Sequence, residues 1–123
     1  MKKKKLLLVE DDELLRTLYV DILTEKFEVD VATDGETAYQ KILVNFVDII
    51  LMDMLLPKMN GLEVVEKVKK EKPHALKGEV IFLTNMDKSA LKDVEKKGYS
   101  YLIKSELSPD KFLQKILEIT EKK

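Results

Sequence analysis

The chain has 123 residues, 45% of them hydrophobic and 37% charged, which is typical of one globular domain with a single core. Twenty-two basic and twenty-three acidic side chains leave a net charge of −1, so no sustained field favours direct binding of nucleic acid or of an anionic membrane. The sequence has no apolar stretch of membrane-spanning length, no recognisable signal peptide and no cysteine, so we expect a cytoplasmic protein without disulfides or thiolate metal sites.

Short apolar runs alternate along the chain with segments of helical periodicity. The predicted strands span residues 6–9, 27–31, 49–52, 80–83 and 101–103. The first, third and fourth are continuous apolar runs suited to the centre of a parallel sheet, whereas the second alternates apolar and acidic residues, as an edge strand does. The helices that follow have apolar residues at helical spacing: Leu14, Leu15, Leu18, Ile22 and Leu23, then Ala38, Ile42 and Leu43, then Leu62, Val64, Val65 and Val68, then Leu91 and Val94, and finally Phe112, Leu113, Ile116 and Leu117.

Turn and capping residues mark where several of these helices begin and end. Asn60 followed by Glu63 is a capping-box pattern at the start of the third helix. Ser108 and Pro109 are an N-cap and a first helical residue for the last helix. Gly98 suits the left-handed position that closes the fourth helix.

Five strands alternating with five helices predict an α/β fold with right-handed crossovers and a parallel sheet covered on both faces. The doubly wound, flavodoxin-like order 2-1-3-4-5 places the apolar strands centrally and the alternating second strand at an edge. In this order the first and third strands end side by side at a topological switch point, which is where ligands bind in such sheets.

Four strands end in residues capable of chemistry. Glu10 and Asp11 come after the first strand, Asp53 after the third, Thr84 after the fourth and Lys104 after the fifth. The carboxyl ends of parallel strands lie along one rim of the sheet. The predicted strand order therefore brings three carboxylates, a hydroxyl and an ammonium group to one place.

These groups together favour phosphoryl chemistry. Three carboxylates repel one another unless a cation lies among them, and oxygen ligands of this kind suit Mg²⁺. The hydroxyl of Thr84 and the ammonium of Lys104 suit the oxygens of a bound phosphoryl group, and Asp53 has the position of a nucleophile toward phosphorus. Each group alone has an ordinary structural explanation, such as an exposed amine at Lys104, but their convergence favours function.

Four motifs resemble those of the receiver domains of bacterial two-component response regulators, in particular chemotaxis-regulator-like domains. The motifs are LLLVEDD at residues 6–12, DMLLPKMNG at residues 53–61, FLT at residues 82–84 and YLIK at residues 101–104. The resemblance extends over about residues 4–120. It implies that residues 1–123 form a single receiver domain.

The resemblance implies a role for each of these residues. Asp53 matches the acceptor of a phosphoryl group from the phosphohistidine of a kinase. Asp11 matches a direct Mg²⁺ ligand and Glu10 one that acts through water, while the backbone carbonyl of Leu55 matches a further metal ligand. Lys104 matches the lysine that pairs with the phosphoryl group.

The resemblance also implies a switch and its partners. Thr84 and Tyr101 match a pair whose hydroxyl and ring rearrange on phosphorylation and reshape the face made by the fourth helix, the fifth strand and the fifth helix. The implied phosphodonor is a sensor histidine kinase or a phosphotransfer protein. The implied reader of the reshaped face is a downstream output protein or domain, or a second copy in a phosphorylation-dependent homodimer.

Other function classes fit the sequence less well. A phosphatase of the haloacid dehalogenase type needs a second aspartate two residues after Asp53, where this chain has Leu55. A flavin or nucleotide carrier needs a Gly-rich or hydroxyl-rich loop after the first strand, and the acids at residues 10–12 would repel its phosphate. The alternative is a receiver-like interaction module that works without phosphorylation, although such modules usually lack the acidic pair, the acceptor or the lysine.

Two residues depart from the family pattern beside the site. Ser105 stands where the family usually has a proline, and a cis bond before a non-proline residue costs about 3–4 kcal/mol, which argues against the cis geometry common there. Asn85 stands where the family usually has Ala or Ser. We also expect Leu55 and Met86 to flank the path of water toward the phosphoryl group.

Overall fold

The structure, a computed structural model, describes residues 2–76, 78–85 and 88–121, with side chains from Leu91 onward in the last range. Its strands are β1 (Lys4–Val9), β2 (Phe27–Ala32), β3 (Ile49–Asp53), β4 (Glu79–Thr84) and β5 (Ser100–Ile103), and its helices are α1 (Glu13–Leu23), α2 (Gly35–Val44), α3 (Gly61–Glu71), α4 (Lys88–Lys96) and α5 (Pro109–Glu121). Short 3₁₀ segments cover Pro73–Leu76 and Lys104–Glu106. Over the described residues, every helix is too short or too polar to cross a membrane.

The five strands are parallel and pair in the order β2-β1-β3-β4-β5, which confirms the predicted doubly wound topology. The register pairs Val9 with Met52 between β1 and β3, and Asp53 with Leu83 between β3 and β4. The carboxyl ends of β1 and β3 are therefore adjacent, and β4 lies between β3 and β5 at the same rim.

One layer of the core lies between the sheet and helices α1 and α5. Leu8, Leu51 and Leu102 are buried there on three different strands. Tyr19 of α1 stacks on Phe112 of α5, with ring centroids 4.3 Å apart and an interplanar angle of 16°. Because side chains alternate between the two faces of a strand, the residues two positions beyond these leucines belong to this same face.

The second layer lies between the sheet and helices α2, α3 and α4. Val9, Met52 and Phe82 are fully buried in it, and Val94 is the contribution of α4. Tyr101 is half-buried against this layer, and the register places it beside Phe82. The burial of the strands confirms two predictions made from their apolar patterns. The edge strand β2 is buried at alternate residues, and the central strand β3 is buried along its whole length.

Helix α1 buries only part of its predicted apolar positions. Leu14 is 84% exposed and Leu18 is 43% exposed, although both had been assigned to its apolar positions. Leu15, Ile22 and Leu23 pack against the core as predicted, and Tyr19, which is not among the predicted positions, is buried beside them. Leu15, Tyr19 and Leu23, spaced by four residues, share one face of the helix, where the ring of Tyr19 stacks on Phe112.

The predicted helix-end signals form the expected hydrogen bonds. Asn60 Oδ1 accepts from the Glu63 backbone N–H at 2.9 Å, and Glu63 Oε1 accepts from the Asn60 N–H at 3.2 Å, so the capping box is complete. Gly98 has φ +79°, and the N–H of Tyr99 donates to the carbonyl of Val94 at 3.1 Å, as in a Schellman motif.

Gly61 allows α3 to begin directly against the end of β3. A Cβ atom at this position would lie 2.2 Å from the carbonyl oxygen of Asp53. The N–H of Gly61 also donates to the carbonyl of Met54 at 3.1 Å, which closes the loop between the two elements. This close approach holds the end of β3, and with it Asp53, in place.

Candidate functional site

Glu10 and Asp53 lie at the same level of the sheet rim on adjacent strands. Glu10 follows β1 and Asp53 ends β3, each two residues beyond a leucine of the layer under α1 and α5, namely Leu8 and Leu51. Both carboxylates therefore emerge on that face of the sheet. They are 1% and 5% exposed, which is unusual for two acids so close together.

The ammonium group of Lys104 bridges these two carboxylates. Lys104 Nζ lies 2.7 Å from Glu10 Oε1 and 2.8 Å from Asp53 Oδ2, and its side chain is 8% exposed. Lys104 follows β5, two strands away from β3, so its long side chain reaches across the end of β4. Clustered carboxylates need a positive charge among them, and in this structure the ammonium group of Lys104 provides one.

The electrostatics of the site follow from this arrangement. Burial raises the pKa of Glu10 from 4.5 to about 7, the hydrogen bond from Lys104 opposes that rise, and the neighbouring Asp53 carboxylate adds to it. Burial disfavours the charged form of Lys104, but hydrogen bonds to Asp53 and Glu10 outweigh it and leave its pKa above the ordinary value. Burial therefore favours the neutral form of Glu10, while the hydrogen bond from Lys104 favours its charged form.

Asp11 completes an oxygen cluster suited to a divalent cation. One carboxylate oxygen each from Glu10, Asp11 and Asp53 lie within 4.8 Å of one another. Glu10 is engaged on both oxygens, since Oε2 also accepts from the Asp12 backbone N–H at 3.2 Å. Asp11 is exposed, and its carboxylate accepts no hydrogen bond from any residue that the structure describes. Hard oxygen donors with one free carboxylate fit Mg²⁺, which retains several waters when bound.

Leu55 contacts the Asp53 carboxylate through its backbone. Its N–H donates to Asp53 Oδ1 at 3.0 Å, while Lys104 donates to Oδ2, so both oxygens of Asp53 are oriented by the protein. The side chain of Leu55 is 73% exposed at the rim of the site. Met86, which was expected to flank the same site, lies outside the described residues.

Thr84 and Tyr101 belong to the neighbouring strands β4 and β5, on the side of β3 away from β1. Thr84 is 3% exposed at the end of β4, two residues beyond Phe82, and Phe82 pairs with Tyr101 in the register of β4 and β5. The register pairs Thr84 with Ile103, two residues beyond Tyr101.

The two departures from the family pattern leave this geometry intact. The described residues contain no cis peptide bond, so Lys104 and Ser105 are joined in trans. Asn85 is exposed immediately after Thr84. The single histidine, His74, is exposed in the 3₁₀ segment Pro73–Leu76, which lies at the other end of β4 from the cluster.

Sequence reasoning missed two contributions to the site. The backbone N–H of Asp12 binds Glu10, and the guanidinium of Arg16 binds the carbonyls of Glu10 and Asp11. The first is invisible to side-chain patterns. The second had one available signal, because Arg16 is an arginine in a chain whose other basic residues are all lysine.

Comparison with known proteins identifies the family of this arrangement. The family model described as the response regulator receiver domain matches residues 6–117. Response regulator ArlR of Staphylococcus saprophyticus is 38% identical over 66 residues, which cover 53% of this chain and 30% of that protein. ArlR of Staphylococcus aureus strain Mu50 is 35% identical over 68 residues, which cover 54% of this chain and 31% of that protein. The matched part spans about 30% of the length of these curated relatives.

Solved structures agree with the family model. A CheY-like response regulator receiver domain protein from Methanospirillum hungatei JF-1 superposes with a TM-score of 0.85 at 28% identity, covering 98% of this chain and 96% of the other. Chemotaxis response regulator CheY4 of Vibrio cholerae has a TM-score of 0.85 at 24% identity, with coverages of 96% and 99%, and shows a common fold.

Proposed function

The chain belongs to the family of response regulator receiver domains, and from that membership we propose that Asp53 accepts a phosphoryl group from the phosphohistidine of a sensor histidine kinase or phosphotransfer protein. Receiver domains are phosphoacceptor signalling domains and are not enzymes in the ordinary sense. The observation that carries the assignment to Asp53 is its carboxylate at the end of β3, held between the ammonium of Lys104 and the acids that follow β1. We also propose that residues 4–120 form the core of this single domain.

The transfer converts one bond to phosphorus into another. A carboxylate oxygen of Asp53 attacks phosphorus, the P–N bond to the donor histidine breaks, and its electron pair returns to the imidazole nitrogen. The product is an acyl phosphate on Asp53. The N–H of Leu55 orients the carboxylate, and Lys104 exchanges its contact with Asp53 for a phosphoryl oxygen, which keeps the positive charge at the site.

Mg²⁺ would be held by the carboxylates of Glu10, Asp11 and Asp53 and by the backbone carbonyl of Leu55. The chemistry of the first three fits this ion, because hard carboxylate oxygens converge and, among the residues that the structure describes, none donates a hydrogen bond to the Asp11 carboxylate. When bound, Mg²⁺ neutralises charge on the phosphoryl oxygens and lowers the repulsion between them and the attacking carboxylate.

The experiment that tests the function uses a small phosphodonor. Incubation with acetyl phosphate and Mg²⁺ should add the mass of one phosphoryl group, and hydroxylamine should remove it because acyl phosphates react with this nucleophile. Asp53→Asn should abolish the gain. A matched control is Asp48→Asn, which changes an aspartate before β3, at the end remote from the site. If Asp53→Asn takes up the same phosphoryl group as the parent, the acceptor has been misassigned.

Mg²⁺ should raise the melting temperature of the parent and much less that of Asp11→Asn. The ion binds the folded cluster and relieves the repulsion among its carboxylates, so the folded state gains stability by mass action. Differential scanning fluorimetry against Mg²⁺ concentration measures the shift. The matched control is Asp12→Asn: it removes the same charge one residue away and keeps a capping oxygen for the Leu15 N–H. Equal Mg²⁺ shifts in Asp11→Asn and in the parent would exclude Asp11 as a ligand.

We further propose that phosphorylation changes the face formed by α4, β5 and α5, which an output protein or domain, or a second copy of the chain, then reads. The hydroxyl of Thr84 donates to a phosphoryl oxygen and draws the segment after β4 toward the site. Tyr101 is half-buried beside Phe82 in the layer that this movement loosens, so its ring can turn inward. Phosphorylation at the rim thereby shifts the population between two packing arrangements of the face formed by α4, β5 and α5.

Thr84→Ala should keep phosphorylation but lose most of this coupling. Amide chemical shifts of α4, β5 and α5, with and without beryllofluoride and Mg²⁺, measure the response, and the parent should change throughout that face. Thr84→Ser retains the hydroxyl and should respond as the parent does. The full parental set of shift changes in Thr84→Ala would rule out Thr84 as the link.

The alternative function is a receiver-like interaction module that works without phosphorylation. Its surface would bind partners in the unmodified state. The phosphodonor experiment separates the two functions, because such a module gains no phosphoryl mass. The intact acceptor, acidic pair and lysine favour the phosphorylated form of signalling.

A further inference from the structure

Arg16 binds the segment that carries two of the three clustered acids. Its guanidinium Nη1 donates to the carbonyl of Glu10 at 3.1 Å and to the carbonyl of Asp11 at 3.3 Å. Its backbone N–H donates to the carbonyl of Asp12 at 2.9 Å. One residue in the first turns of α1 therefore engages all three consecutive carbonyls between β1 and α1.

The guanidinium of Arg16 donates to backbone carbonyls and not to carboxylates. Three acids lie in the neighbouring segment, yet within the described part of the chain Arg16 forms no ion pair. It is also the single arginine among 22 basic side chains. A guanidinium nitrogen presents two hydrogens in fixed directions, and a lysine ammonium on a flexible stem does not reproduce that fork.

These hydrogen bonds determine where the acids can point. The N–H of Glu10 is already held by the carbonyl of Ala32 at 3.0 Å, so with Arg16 on its carbonyl the backbone of Glu10 is restrained on both sides. The carbonyls of Glu10 and Asp11 face α1, which prevents them from turning into the cluster as neutral ligands. Their carboxylates are left to face Asp53.

We propose that Arg16 is a positioning residue that sets the affinity of the Glu10–Asp11–Asp53 cluster for Mg²⁺. The proposal rests on the proposed metal site, and it adds a determinant that contacts neither metal nor phosphoryl group. Residues that orient metal ligands typically contribute 10–100-fold to affinity.

The charge of Arg16 and its positioning role predict opposite changes in Mg²⁺ affinity when Arg16 is replaced by a neutral residue. A positive charge close to the cluster repels Mg²⁺, so Coulomb's law alone predicts that neutralising Arg16 tightens Mg²⁺ binding. Loss of positioning predicts weaker binding, because the acids must then be ordered when the ion arrives. The sign of the change identifies which effect dominates.

The test measures the Mg²⁺ dissociation constant by isothermal titration calorimetry for the parent, Arg16→Met and Arg16→Lys. We expect roughly a 10-fold increase in Kd for Arg16→Met and a smaller increase for Arg16→Lys, which keeps the charge and one donor. The titrations are run far below each melting temperature, so a purely structural role would lower the melting temperature of the metal-free protein without changing Kd. Lys26→Met, which removes a positive charge at the far end of α1, should bind as the parent does.

An unchanged or lower Kd in Arg16→Met would overturn the proposal. If that variant does not fold, Arg16→Lys decides, and a parental Kd there would overturn it equally. A parent that binds no Mg²⁺ would instead remove the proposed metal site, and the proposal with it. A parent that binds Mg²⁺ together with unaffected Arg16 variants would remove the role of Arg16 alone.

Discussion

Replacing Lys104 with methionine should lower the free energy of unfolding by about 3–5 kcal/mol at neutral to mildly basic pH, which is typical when one partner of a buried ion pair is removed. The Lys104 ammonium lies 2.7 Å and 2.8 Å from two carboxylates that are themselves almost inaccessible to water. Methionine fills most of the volume but leaves Glu10 and Asp53 facing each other without a cation. Denaturant unfolding in the absence of divalent ions measures the loss.

The stability deficit of Lys104→Met relative to the parent should grow as the pH rises above about 7. Burial already raises the pKa of Glu10 to about 7 in the parent, and removal of the cation raises it further. Above that pH the folded parent has released the Glu10 proton while the folded variant still holds it, so the variant continues to lose stability as the pH increases and the parent does not. A deficit that is independent of pH would contradict this account.

Two additions should rescue the Lys104→Met variant. Asp53→Asn in the same chain removes the second charge and should recover much of the stability, leaving Glu10 free to take up a proton. Mg²⁺ should also stabilise the single variant more than the parent, because it supplies the missing positive charge to the folded state only. If the double variant is no more stable than Lys104→Met, the loss comes from packing and not from unpaired carboxylates.

Gly61→Ala should destabilise the fold by roughly 3 kcal/mol, the upper end of the usual cost of overpacking. The added Cβ would lie 2.2 Å from the carbonyl oxygen of Asp53 and 2.8 Å from the Cγ of Met52, so backbone must move. The movement acts on Asp53, whose carboxylate is the proposed acceptor. Weaker Mg²⁺ binding and slower phosphorylation should therefore accompany the loss of stability, which denaturant unfolding and the phosphodonor assay measure.

Gly98→Ala is the matched control for Gly61→Ala. Gly98 has φ +79°, but a Cβ there meets nothing within 4 Å. Only the cost of a left-handed L-residue applies, which is about 1 kcal/mol, and phosphorylation should proceed as in the parent. Equal effects of the two substitutions on phosphorylation would show that the contact of Gly61 with the end of β3 does not position Asp53.

The sequence alone was sufficient to predict the helices and strands, the strand order and the residues that meet at the rim of the sheet. Apolar runs and alternation are local properties, and right-handed crossovers leave few topologies for five strands and five helices. Strand ends in such a sheet share one rim, so Glu10, Asp53 and Lys104 could be grouped before any distance was known. Caps at Asn60 and Gly98 were also readable, because a helix end is decided by the few residues around it.

The tertiary structure decided which stripe of α1 is buried and how the charges at the rim are paired. Leu14 and Leu18 have the same periodicity as a core stripe, but the stacking of Tyr19 on a ring of α5 turns them outward, and that contact joins residues far apart in the chain. The ammonium of Lys104 between two acids depends on how far a flexible side chain reaches across β4. Such pairings depend on distance and burial in three dimensions, and neither quantity is a local property of the sequence.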